Sequence, residues 1–207
     1  MPISVPNFEN PILNRVAHGD MTIFEEGHDF TLSERQYSLD WNALSVAVTM
    51  GYLDLVNALL EIAEVSSSVA ACNDLALISA AMNGHLEVVN RRLKIEAVRE
   101  NAAARKNCAL RAAAANGHLA VVNRLLEIEA VRTHAAARNN YALRWAAVNG
   151  HLEVVNHLLE IAEVRANTAA EDNLALKEAA ENGHSEVVYA LAKTQWPLGK
   201  QDMPEEM

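Results

Sequence analysis

The stretch NYALRWAAVNGHLEVVNHLLEI, running from Asn140 to Ile161, decides the fold. Asn140 opens an alanine-rich segment, where its side-chain oxygen is placed to accept from the free amides of a helix start. Asn149-Gly150 closes that segment, since glycine takes the left-handed conformation that stops a helix. Beyond it, Val154, Val155, Leu158, Leu159 and Ile161 form an apolar stripe at helical spacing. The stretch therefore reads as a helix pair, neither member of which buries its apolar side alone.

The pattern recurs. Ala142-Leu143 has counterparts at Ala43-Leu44, Ala76-Leu77, Ala109-Leu110 and Ala175-Leu176, and Gly150 at Gly51, Gly84, Gly117 and Gly183, always at the same 33-residue step. The segments after the glycines read GYLDLVNALLEI, GHLEVVNRRLKI, GHLAVVNRLLEI, GHLEVVNHLLEI and GHSEVVYALAKT. Five units follow, stacked so that each covers its neighbour's apolar face. Asp74, Asn107 and Asn173 occupy the place of Asn140, so a side-chain cap is expected at each inner helix. Upstream, ILNRVAHGDMTIFEEG puts Gly19 one residue short of a full step before Gly51 and reads as a degenerate capping unit. The expected organisation is a divergent N-terminal cap over residues 1–40, five 33-residue repeats over 41–194, and a polar, disordered tail over 195–207.

A 33-residue period carrying Ala-Ala, then Asn-Gly-His, then Glu-Val-Val and Leu-Leu, resembles the ankyrin repeat over roughly residues 41–194. The resemblance implies an all-α solenoid of stacked helix pairs and a protein-binding groove on the concave face formed by the inner helices. Two departures stand out. The family's Thr-Pro-Leu-His at the inner-helix start is replaced by NCALR, NNYALR and NLALK. Its glycine-bearing hairpin loop is replaced by EAVRENAAARKN, EAVRTHAAARNN and AEVRANTAAEDN, which lack glycine and proline. Alanine favours helix and hairpin turns favour glycine, so the β-fingers are expected to be reduced or absent, with short helical turns in their place. Alanine-rich units of this type also resemble those of secreted ankyrin effectors of intracellular bacteria. That second resemblance implies a host protein as partner and a cytoplasmic protein passed into a host cell by dedicated machinery.

Composition agrees with helices throughout. Apolar residues make up 51% of the 207-residue chain, enough for a core, while aromatics make up only 5%, so the packing rests on small side chains. Of 5 prolines, Pro2, Pro6 and Pro11 fall in the first eleven residues, leaving the repeats nearly free of breakers. Cys72 and Cys108 stand alone, without metal or redox spacing, and read as reduced, structural thiols. No basic-then-apolar leader opens the chain and no apolar run approaches bilayer length, so a soluble monomer with no membrane partner is expected. Charge is uneven. Residues 91–144 hold 11 Lys/Arg against 4 Asp/Glu, and the remainder 6 against 23, within a net charge of -10.

The chain offers little catalytic chemistry. His85, His118, His151 and His184 recur at 33-residue spacing, but stacked helices lie about 8–10 Å apart and zinc needs nitrogens at about 2 Å. They read as turn residues that hydrogen-bond backbone and brace the next unit. The carboxylate pairs Glu127/Glu129 and Glu160/Glu163 read as a solvated face. Ser66-Ser67-Ser68 has no base near it in sequence, and no phosphate loop, His-Glu-x-x-His or Gly-x-Ser-x-Gly occurs. No cofactor, metal or catalytic residue is expected.

Variation against the repeat is the better signal. After the Ala-Leu pair stand Ser45-Val46, Ile78-Ser79, Arg111-Ala112, Arg144-Trp145 and Lys177-Glu178. Trp145 replaces Val, Ser, Ala and Glu, a spread of sizes that a framework position would not tolerate. It either anchors a partner or fills a gap between units. Tyr141 lies one turn earlier on the same face, and interface hot spots are rich in Trp, Tyr and Arg. Tyr141, Arg144, Trp145, Arg111 and Arg138 are therefore the expected partner-binding residues, facing a protein with an acidic or helical surface. The central basic belt offers nucleic-acid binding as an alternative, which the net charge and sparse aromatics oppose. An enzyme site in the divergent cap, built from His18, Asp20, Glu25, Glu26 and His28, is the other.

Overall fold

The structure is a computed structural model that describes residues 11–24, 43–61 and 75–195. The chain forms two compact units, Met1–Ala104 and Arg105–Met207. All regular structure among the described residues is helical.

In the first unit, helix Pro11–Ala17 and the 3-10 turn Met21–Phe24 precede the helix pair Ala43–Met50 and Leu53–Glu61, then the pair Leu75–Met82 and Leu86–Leu93, then a five-residue helix Glu96–Glu100. In the second unit this last triplet recurs. Ala104–Ala115, Leu119–Leu126 and Glu129–Thr133 are followed by Ala137–Val148, Leu152–Leu159 and Ala162–Ala166, and then by Ala170–Glu181 and Ser185–Gln195. Each short helix sits in a glycine-free loop, over its Glu-Ala-Val-Arg or Ala-Glu-Val-Arg segment, where no glycine or proline breaks it.

The core is built from two kinds of row. Inner helices bury small residues, such as Ala109, Ala113 and Ala114, then Ala142, Ala146 and Ala147. Outer helices bury larger ones, such as Val121, Val122, Leu125 and Leu126, then Val154, Val155, Leu158 and Leu159. Each five-residue helix buries one valine, Val98, Val131 or Val164. At roughly 25 cal/mol per Å² of apolar surface removed from water, these rows supply the main drive for stacking.

Histidine and glycine set the spacing between repeats. Gly51, Gly117 and Gly150 have φ between +73° and +78°. The ring of the following repeat's histidine lies so close that a Cβ on any of the three would meet its Nδ1 at 2.5 Å. Nε2 of His85, His151 and His184 lies 2.9, 3.1 and 3.0 Å from the carbonyls of Thr49, Ala115 and Val148. A carbonyl only accepts, so each ring carries its proton on Nε2. The histidine thus braces the preceding repeat, not the next one as the sequence suggested. Tyr52 plays this part at the start of the array, with its ring over Gly19 and its hydroxyl donating to Ala17 O at 3.2 Å.

The expected asparagine caps are not formed. Arg105, Lys106 and Asn107 all have φ between +53° and +59°, and Arg138, Asn139 and Asn140 between +55° and +60°. Glu171 and Asn173 repeat the conformation. Asparagine enters left-handed backbone more readily than most residues, and this backbone need outweighs the capping role. Buried Asn107 and Asn140 instead donate through Nδ2 to the carbonyls of Val131 and Val164, at 2.7 Å each. Their Oδ1 atoms take no hydrogen bond. Each asparagine thereby fastens the next five-residue helix downstream, a long-range contact that capping logic does not reveal.

One core position breaks its row. Leu59, Leu125, Leu158 and Leu191 are fully buried, and Arg92 takes the same place in its repeat at 1% exposure. A buried guanidinium carries a desolvation penalty that leucine does not. Asn140→Ala is expected to lower stability by about 2 kcal/mol in urea unfolding, from the lost hydrogen bond and the left-handed backbone, and Asn140→Gly by less.

Candidate functional site

The five partner-binding residues expected from sequence all fall in the second unit. Arg138 opens the inner helix Ala137–Val148 in its left-handed turn, and its side chain is exposed. One turn and two turns on, the helix presents Tyr141, Arg144 and Trp145, all half-buried. The rings of Tyr141 and Trp145 lie 5.8 Å apart at 47°. Arg111, on the preceding inner helix, places its guanidinium 4.8 Å from the centre of the Tyr141 ring. That distance is within the range of a cation–π contact. Arg111 Nε and Nη1 and Trp145 Nε1 are buried and have no hydrogen-bond partner.

Arg144 points the other way along the row. Its Nε donates to Glu178 Oε2 and its Nη2 to Glu178 Oε1, both at 2.7 Å, on the next inner helix. Glu171 adds an oxygen 3.4 Å from Nη1 and accepts from Asn139 Nδ2 at 2.9 Å. The hydrogen bonds from Arg144 hold the Glu178 carboxyl below its ordinary value, and those to Glu178 hold Arg144 above its own. The basic belt is thus partly neutralised within the chain, and Arg144 and Arg111 have different electrostatic roles despite identical repeat positions.

The remaining candidates among the described residues make local contacts. The acidic pairs lie on exposed faces, with Glu127 bonded to Arg124 and Glu129 to Arg132 at spacing i, i+3. In the N-terminal cap, His18 Nδ1 lies 2.7 Å from Asn14 O. Asp20 accepts from Thr22 and from Arg15 Nε, and these bonds, Thr22 first, hold its carboxyl down to about 2. A carboxylate so held stays ionised at neutral pH and does not serve as a general acid. Glu25, Glu26, His28, Ser66–Ser68 and Cys72 lie outside the described residues. Cys108 is a free thiol. Among the described residues, no three His, Cys, Asp or Glu side chains converge as a metal site, and no helix is long and apolar enough to cross a membrane.

A family model described as ankyrin repeats in three copies matches residues 44–134 and again 110–201. The chain belongs to the ankyrin-repeat family. Comparison with curated proteins gives no significant match. Ankyrin repeats are protein-interaction modules, and this member of the family has the stacked helix pairs with five-residue helices in place of β-fingers.

Sequence reasoning missed one further surface of this ankyrin protein. Tyr189 is 64% exposed and lines a cleft of about 470 Å³ with Leu152, Asn156, Ser185, Glu186 and Ala190, on the outer-helix side. The signal for it was Tyr189 itself, which stands where the other repeats carry Asn57, Asn90, Asn123 and Asn156.

The Arg144–Glu178 fork is about three-quarters shielded from water and is expected to couple its partners by about 1 kcal/mol in a double-mutant cycle of Arg144→Ala and Glu178→Ala at neutral pH. Glu178 has a depressed folded value, so this contribution is complete above the ordinary glutamate range and disappears as pH falls through the folded value. A coupling energy that did not fall in acid would contradict the assignment.

Proposed function

We propose that this chain is a non-enzymatic scaffold that binds another protein on the face formed by its inner helices, with Tyr141 and Trp145 as anchors and Arg111, Arg138 and Arg144 around them. The observation that carries the proposal is the placement of two aromatic rings and an arginine stack at positions whose residue type changes from repeat to repeat, beside framework rows that mostly recur. The Gly-His and Asn rows repeat in kind because stacking demands it. Residues 111, 141, 144 and 145 have no such demand, so their identities are open to recognition.

The partner fits a protein with an acidic or helical surface, and a rigid helical face limits the ordering cost of binding. A monomer acting in a host cell as a bacterial effector, on a host protein seated in the family's concave groove, is the finer form of the proposal. It draws support from the likeness of these alanine-rich units to those of secreted effectors.

The experiment is affinity capture from eukaryotic cell lysate, comparing the native chain with Tyr141→Ala/Trp145→Ala and with Tyr189→Ala, each checked for retained helicity. A protein held by the native chain and by Tyr189→Ala, and lost with the aromatic pair, is the expected result. Loss with Tyr189→Ala alone would move the site to the outer helices and overturn the inner-face proposal.

A further inference from the structure

The repeat register allows Arg111 and Arg144 to be compared atom for atom, since they stand one full repeat apart and occupy the same place on successive inner helices. Arg144 is answered by two carboxylates, Glu178 on the next inner helix and Glu171 in the turn that leads into it. Moving both acids back by one repeat gives the corresponding places around Arg111, and these hold Trp145 and Arg138. One repeat earlier, then, the same arginine stands with an indole where one acid would be and a second cation where the other would be.

The consequence is visible in the side chains. Arg144 uses Nε and Nη2 on Glu178, whereas Arg111 Nε and Nη1 have no acceptor and the guanidinium rests on the Tyr141 ring. A charged donor shielded from water and left without an acceptor is costly, and the stacking contact offsets only part of that cost. Arg138 is exposed and enters no ion pair among the described residues. Two arginines and two aromatic rings are thereby grouped, with an acid missing from each of the two places that supply one to Arg144.

We infer that the missing carboxylates come from the partner: Arg111, together with Arg138, receives an acidic side chain of a bound peptide segment, with Tyr141 and Trp145 flanking it. The inference rests on the inner-face proposal above and adds to it the group that is recognised and the arginine that recognises it. Arg144 is excluded from this role because Glu178 already fills its fork. Engagement of Arg111 Nε and Nη1 requires the guanidinium to turn on its stem, a rotamer change of the kind common at interfaces. Planar forks of this type recognise carboxylates through paired hydrogen bonds.

The test is fluorescence anisotropy with a labelled oligoglutamate peptide at low salt, using the full chain. Arg111→Gln and Arg138→Gln are each expected to weaken binding about tenfold, the loss of one charge-assisted contact, while the charge-matched Arg165→Gln, an exposed arginine outside this group, stays within about threefold. Equal losses in all three variants would show general attraction to a basic surface and overturn the assignment. So would absence of binding by the native chain, or tighter binding of single-stranded DNA carrying the same number of charges. A second variant, Trp145→Glu/Arg138→Glu, copies the acids of the next repeat onto Arg111. It is expected to abolish peptide binding and raise the melting temperature; a lower melting temperature would contradict the equivalence of the two arginines. If a captured protein is lost with Tyr141→Ala/Trp145→Ala but kept by Arg111→Gln, the inner-face proposal stands and the carboxylate assignment falls.

Discussion

A histidine ring laid into the space that a left-handed glycine leaves open is the contact on which the repeat geometry depends. At Gly51, Gly117 and Gly150 a side chain would collide with that ring, and the ring's Nε2 reaches a backbone carbonyl of the preceding repeat. The bond satisfies a carbonyl at the end of an inner helix, where helices leave acceptors open, so it closes one element and joins two repeats at once. With that spacing set, the alanine rows of the inner helices and the valine and leucine rows of the outer helices come into register and are buried together. At Gly183 no atom lies within 4 Å of the place a Cβ would take, so among the described residues this docking site is filled at Gly51, Gly117 and Gly150 and left open at the last repeat.

The left-handed asparagine turns are the second constraint. They take the place of the hairpin that glycine-bearing loops form elsewhere in the family, and they accept a backbone cost of about 1–2 kcal/mol per non-glycine residue. Buried hydrogen bonds from Asn107 and Asn140 to the short helices offset part of that cost. The same turns position Arg138 and Asn139 at the start of the inner helix, and Asn139 joins Glu171 in the polar network around Arg144. Framework and proposed recognition surface are therefore adjacent in sequence yet governed by different demands.

Much of this was legible in the sequence because repetition displays a constraint directly. The 33-residue step of Ala-Leu and Gly, the absence of glycine from the loops and the recurrence of histidine all led to helices, short loop helices and a structural role for the imidazoles. Residue type alone misled at Asn107 and Asn140, since the preference for a cap and the preference for left-handed backbone draw on the same side chain, and only the dihedral angles separate them. Direction was lost at the histidines, because spacing says that a brace exists but not which neighbour it holds. Arg92 was legible only as one cation of the basic belt, whereas it is buried in a row of leucines. For the site, the sequence placed Tyr141, Trp145 and the arginines on one face, while the difference between Arg111 and Arg144 needed the side-chain contacts, since a fork whose acid comes from the next repeat is invisible to local pattern.

The division between a framework that stacks and a face that is free to recognise is tested most directly by the unfolding free energies of Gly150→Ala and Trp145→Ala in urea. The expected result is a loss of more than about 2 kcal/mol for Gly150→Ala, where the new Cβ displaces the His184 ring and strains the backbone, and less than half that loss for Trp145→Ala. An equal or larger loss for Trp145→Ala would make the indole a packing element between repeats and contradict its assignment to the recognition face.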